Sequence, residues 1–84
     1  MATVEEKMKE ILLEILDIKE EDIVPTATFI DDLHATSIDI VEILTAIQNS
    51  YDVNITEADA AKIRTVQDAI DVLKAALAQK QAAS

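Results

Sequence analysis

The chain has 84 residues and a formal net charge of −10, with one histidine, no cysteine and no glycine. That length supports one small domain with a limited core, and without cysteine neither a disulfide framework nor a thiolate zinc site can reinforce it. A self-contained hydrolase is also excluded, because a nucleophilic serine needs a base within hydrogen-bond reach and donors for an oxyanion, and His34 is the only imidazole present.

Residues 3–16 read as the first helix. Thr3 with Glu6 three residues on has the form of a capping box, and Glu5-Glu6 suits the positive end of the helix dipole. Val4, Met8, Ile11, Leu12 and Ile15 recur at helical spacing. Residues 17–36 have no helical face, and Pro25 interrupts any helix there. A connection of that length is uncommon in a small domain unless it is pinned or functional. Ile18, Ile23, Val24, Phe29, Ile30 and Leu33 are the expected pins, so the segment reads as an ordered loop strapped across helix ends.

The second helix is expected from Ser37 to Tyr51. Ile40, Ile43, Leu44, Ile47 and Tyr51 form one stripe, Thr36 is the N-cap and Asp39 occupies the third helical position. Asp39 and Glu42 fall on another side, beside a weaker stripe of Ile38, Val41 and Thr45. A short third helix fits residues 56–62, with Thr56 as cap and Asp59 three residues on. A fourth begins at Thr65, with Asp68 in the same relation, and buries Val66, Ala69, Ile70, Leu73 and Leu77. The tail from Ala75, rich in Ala, Lys and Gln, extends that helix. No strand pattern survives. The expected fold is all-α: a small four-helix bundle, three longer helices and one short, with a long ordered first loop. It fills one domain over residues 1–84, with a core over residues 3–75 and a helical extension over 76–84.

The charge is unevenly placed. From Glu20 to Ala61 there are ten acids and no base, while the other seven acids balance the seven bases. This half therefore carries the whole net charge. Such a surface repels nucleic acid and anionic membrane and steers the protein toward basic partners. No apolar stretch is long enough to span a bilayer, and the opening Met-Ala-Thr-Val-Glu-Glu lacks the basic and apolar regions of a signal peptide. A cytoplasmic monomer is the expectation. An EF-hand is ruled out because its sharp glycine turn is missing, and no metal site is expected.

Ser37 sits where the acidic loop becomes the second helix, in Phe29-Ile30-Asp31-Asp32-Leu33-His34-Ala35-Thr36-Ser37-Ile38. Thr36 already supplies a cap, so Ser37 is spare for another use. His34, beside Asp31 and Asp32, reads as a loop hydrogen-bonding residue. This segment resembles the Phe-x-x-Asp-Leu-Gly-x-Asp-Ser-Leu-type signature of the acyl carrier protein family. Asp39-Ile40-Val41-Glu42 and Ile63-Arg64-Thr65-Val66-Gln67-Asp68-Ala69-Ile70 resemble the family's second helix and the start of its last one.

The resemblance implies a carrier rather than an enzyme. Ser37 would carry 4′-phosphopantetheine, installed from coenzyme A by a phosphopantetheinyl transferase, with acyl groups held as thioesters on its terminal thiol. That arrangement accounts for the missing cysteine, because the cofactor brings the thiol. The implied partners are acyl-transferring or synthase enzymes of fatty-acid, lipid or polyketide-type synthesis. Their basic docking faces would meet Asp39 and Glu42 together with Thr36, Ile38 and Val41. Ile40, Leu44 and Ile47 would be walls of an acyl pocket. The alternatives are an unmodified helical interaction module of the same fold and an aminoacyl or D-alanyl carrier. Four features depart from the family pattern. Thr36 replaces the acid before the serine, His34 replaces a glycine, Ile38 replaces leucine, and Gln48 and Asn49 stand where acids usually recur. They suggest a specialised carrier.

Overall fold

The structure, a computed structural model, describes the backbone of residues 3–83 and the side chains of residues 3–80. Its elements are α1 (Val4–Ile15), a single 3-10 turn (Glu20–Asp22), α2 (Ser37–Tyr51), α3 (Glu57–Ala60) and α4 (Val66–Ala83). The all-α bundle read from the sequence is observed. The extension beyond residue 75 continues α4 to Ala83, and its last residue, Ser84, lies outside the described residues, as do Met1 and Ala2.

Each helix starts where a threonine stops it from fraying. Thr3 Oγ1 accepts from the Glu6 N–H at 3.1 Å, and Thr56 Oγ1 accepts from the Asp59 N–H at 3.2 Å. α4 has both arms of a capping box: the Asp68 N–H donates to Thr65 Oγ1 at 3.1 Å, and Asp68 Oδ2 accepts from the Thr65 and Arg64 N–H groups, each at 3.2 Å. These bonds satisfy N–H groups that a helix start leaves without partners. α3 is shorter than the residues 56–62 expected. The Lys62 and Ile63 N–H groups reach back only three residues, to Asp59 and Ala60 carbonyls, and this tightening ends the α-helix after one turn.

The core is apolar throughout. Met8, Leu12, Phe29, Ile47 and Leu73 are its largest fully buried side chains, and among the described residues no polar side chain is buried. α1 packs against both α2 and α4. In α4, Val66, Ala69, Ile70 and Leu73 are buried and Leu77 half-buried, as expected.

The long loop is ordered by backbone bonds more than by apolar pins. Phe29 N–H donates to Arg64 O and Val66 N–H to Ala27 O, both at 3.0 Å, around an isolated antiparallel bridge between Thr28 and Thr65. Gln67 N–H adds a bond to Pro25 O at 3.1 Å. The first free N–H groups of α4 are thus paired to the loop carbonyls that need donors. Ile23, Phe29 and Leu33 are buried and Ile18 half-buried, whereas Val24 and Ile30 are 44% and 56% exposed. The expectation that these two act as pins is corrected by turn geometry. The turn closed by Ala27 N–H to Val24 O sends Ala27 inward instead. A second turn, closed by the Asp32 and Leu33 N–H groups on Thr28 O, puts Phe29 and Leu33 inside and Ile30 outside.

Candidate functional site

Ser37 is the first residue of α2, and its side chain is exposed. Its neighbours make the cap without it. Asp39 N–H donates to Thr36 Oγ1 at 3.2 Å, and Asp39 Oδ2 accepts from Thr36 N–H at 3.0 Å. With both arms of the box filled by Thr36 and Asp39, the Ser37 hydroxyl makes no hydrogen bond among the described residues. It faces solvent at the positive end of a fifteen-residue helix.

The approach to Ser37 is shaped by His34, whose φ is +57°. That left-handed conformation reverses the chain between the buried Leu33 and the buried Ala35, and Ala35 N–H closes on Phe29 O at 2.7 Å. The histidine tolerates the geometry at some steric cost. Its imidazole makes neither a hydrogen bond nor an ion pair among the described residues, which corrects the expectation of a bond to Asp31 or Asp32. Asp32 turns to Thr28 instead: Oδ2 accepts from the Thr28 N–H at 2.8 Å and from its hydroxyl at 3.1 Å. Those bonds hold the Asp32 carboxyl below the usual carboxylate range, with a smaller contribution from the charge of His34. Among the described residues Ser37 therefore has no base in hydrogen-bond contact to draw off its proton.

The docking candidates divide by what they already hold. Ile38 and Val41 are 71% and 60% exposed, the most open large apolar side chains of α2. Thr45, on the same stripe, returns its hydroxyl to Val41 O at 2.9 Å. Glu42 is exposed and makes no ion pair among the described residues. Asp39 is half-buried and its Oδ2 is engaged in the cap, so it presents less to a partner than its position on the helical wheel suggests. Five ion pairs take up Lys7, Lys9, Lys62, Lys74 and Lys80, and none reaches Asp31, Asp32, Asp39 or Glu42. The field around Ser37 thus stays negative.

Of the three pocket candidates, Ile40 is half-buried and lines a cleft of about 410 Å³, together with Phe29, Ile30, Ile63 and Arg64. Ile47 is buried in the core and Leu44 half-buried, and neither borders that cleft. The sequence reading did not assign Ile63 and Arg64 to a site. The Thr65 cap held the signal for Arg64, because Asp68 binds the Arg64 N–H while the Arg64 carbonyl bonds the loop at Phe29.

Residues 6–73 match the family described as "Phosphopantetheine attachment site". The chain belongs to that family. Among solved structures it is similar to an acyl carrier protein from Enterococcus faecalis, at 29% identity over 87% of this chain and 92% of that one, with a TM-score of 0.74. It is a carrier protein, not a catalyst, and the prosthetic group of its family is covalently attached 4′-phosphopantetheine. The residues present fit such a group: the start of α2 offers a solvent-facing hydroxyl released from capping, with room around it because Ile38 and Val41 point outward. Carriers of this kind work with modifying and synthase enzymes. No described helix is long and apolar enough to cross a membrane.

Proposed function

We propose that Ser37 carries the phosphopantetheine arm and that the chain presents acyl thioesters to enzymes of fatty-acid, lipid or polyketide-type synthesis. The observation that supports this reading is the exposed, hydrogen-bond-free hydroxyl at the first position of α2, with its cap made by Thr36 and Asp39. In the attachment step, Ser37 Oγ attacks the β-phosphorus of coenzyme A. The bond from that phosphorus to the bridging oxygen breaks, 3′,5′-ADP leaves, and the hydroxyl proton passes to a base on the transferase. This chain's part is to hold the hydroxyl open and rigid on a helix end; the transferase supplies the activation. Once bound, the group supplies a thiol for thioester chemistry that the cysteine-free chain lacks.

The carrier docks through Ile38, Val41 and Glu42, with Asp39 and Thr36 at the rim, against basic faces. It works as a cytoplasmic monomer built as one acyl-carrier-like domain. Thr36 and His34, which differ from the family's acid and glycine, tune which transferase accepts the serine. Intact mass after incubation with a broad-specificity transferase and coenzyme A tests the attachment. One added phosphopantetheinyl group, lost in Ser37→Ala, is expected. A mass unchanged with several transferases instead supports the unmodified interaction module.

A further inference from the structure

The cleft beside α2 carries a charge that its apolar walls do not require. Phe29, Ile40 and Ile63 give it an apolar floor, and Arg64 is the only base that lines it. Ile40 lies one helical turn beyond Ser37, so the cleft opens within reach of anything tethered to that serine. The backbone of Arg64 is held on both sides: its carbonyl accepts from Phe29 N–H at 3.0 Å and its N–H donates to Asp68 Oδ2 at 3.2 Å. Its side chain is exposed, and it makes no ion pair among the described residues, although Asp31 borders the same cleft. Five of the other six bases are paired to acids.

An unpaired guanidinium carried on an anchored backbone at the rim of an apolar cleft is suited to a carboxylate, which it can grip through two parallel N–H donors. Elsewhere near Ser37 an anionic cargo meets acids alone, because residues 20–61 carry ten acids and no base, whereas in the cleft Arg64 offsets the one bordering acid, Asp31. A plain alkyl chain would gain only the apolar floor.

We propose that Arg64 is a specificity residue that retains acyl groups bearing a distal carboxylate in this cleft. The inference rests on attachment at Ser37. The test compares carriers loaded by a transferase from succinyl-coenzyme A and from butyryl-coenzyme A, whose acyl groups match in chain length but end in carboxylate and methyl. In nitrogen-15 spectra at low salt, the succinyl form is expected to shift the Arg64 Nε–H signal and the Ile40 and Ile63 amides. The butyryl form should leave Arg64 Nε–H in place. Arg64→Gln should remove the succinyl-specific shifts of Ile40 and Ile63 and lower the cleft-bound population about threefold, the scale of one exposed ion pair. Arg64→Lys should retain part of it, and both variants keep the backbone bonds that order the loop. Equal shifts from the two cargoes, or succinyl-specific shifts that persist in Arg64→Gln, overturn the role of Arg64 and leave attachment standing. A chain that gains no mass from either coenzyme A thioester overturns both.

Discussion

Single residues decide how Ser37 is offered. Thr36→Asp keeps the cap, since aspartate is at least as good an N-cap as threonine, and places an acid immediately before the serine. Modification by a standard transferase is expected to speed up, and an unchanged rate would remove Thr36 as a recognition determinant. His34 carries a different cost. At φ +57° a histidine is strained relative to glycine, by about 1 kcal/mol or a little more, part of which glycine returns as unfolded-chain entropy. His34→Gly should therefore raise the urea midpoint slightly. A lower midpoint would mean that the imidazole contributes contacts beyond this steric account.

Asp68 and Asp32 belong to the same scale. Asp68 Oδ2 takes two backbone N–H groups, chiefly that of Thr65 and then that of Arg64, and its carboxyl is held below its ordinary value. A carboxyl depressed in the folded state stabilises above its unfolded pKa, and the stabilisation fades as pH falls through the folded value. Stability should accordingly drop as the solution is acidified below the ordinary aspartate value of about 4, and go on dropping until the depressed folded-state carboxyls are themselves protonated. In Asp68→Asn and Asp32→Asn the acid limb of a stability–pH curve should be shallower than in the parent.

At the scale of elements, the loop is the part most dependent on one side chain. Phe29 is 1% exposed, the largest buried side chain among the described residues, and it anchors the turn that leads to Ser37. Phe29→Ala should cost about 3–5 kcal/mol, most of the stability available to so small a domain, and thermal unfolding would show it as a loss of the cooperative transition. The far end of α2 has a lighter fastening. Its chain turns through Asp52 at φ +53°, and Lys80 of α4 donates to Tyr51 O at 3.1 Å beside Asp52.

Elements differ in how far their sequences announce them. α2 was legible to both ends, because the Thr36 cap marks its start and a five-residue apolar stripe from Ile40 stops at Tyr51. That the Ser37 hydroxyl is spare was legible through the same pattern, since Thr36 supplies the cap; its reading as an attachment point came from the resemblance of residues 29–38 to the family signature. The loop was legible as ordered, but its inward residues were not. Periodicity says nothing inside a turn, so Val24 and Ile30 looked equivalent to Ile23 and Phe29, and the small Ala27 and Ala35 gave no signal although both are buried. The cleft was hidden for a related reason: it joins residues from the loop, α2 and the α3–α4 connection, and long-range backbone bonds set that meeting.

For the whole molecule, the uneven charge governs how partners are met. Among the described residues no lysine or arginine is paired to the acids nearest Ser37, so docking should be fast, weak and sensitive to salt. Glu42→Lys is expected to slow encounter with a basic partner about two- to fivefold at low salt, with the difference vanishing as salt is raised. A slowing that persists at high salt would point to contact shape rather than field.

The stitch between the loop and the start of α4 also bears on the time course of the molecule's motions. The Phe29, Val66 and Gln67 amides belong to segments far apart in sequence, yet all three are bonded across one shared seam. Detachment of either segment breaks all three bonds at once. They should exchange with deuterium together, as one cooperative unit, and more slowly than the amides of the single-turn α3. The edge of the cleft, where Phe29 and Arg64 meet, thus opens as a unit rather than residue by residue.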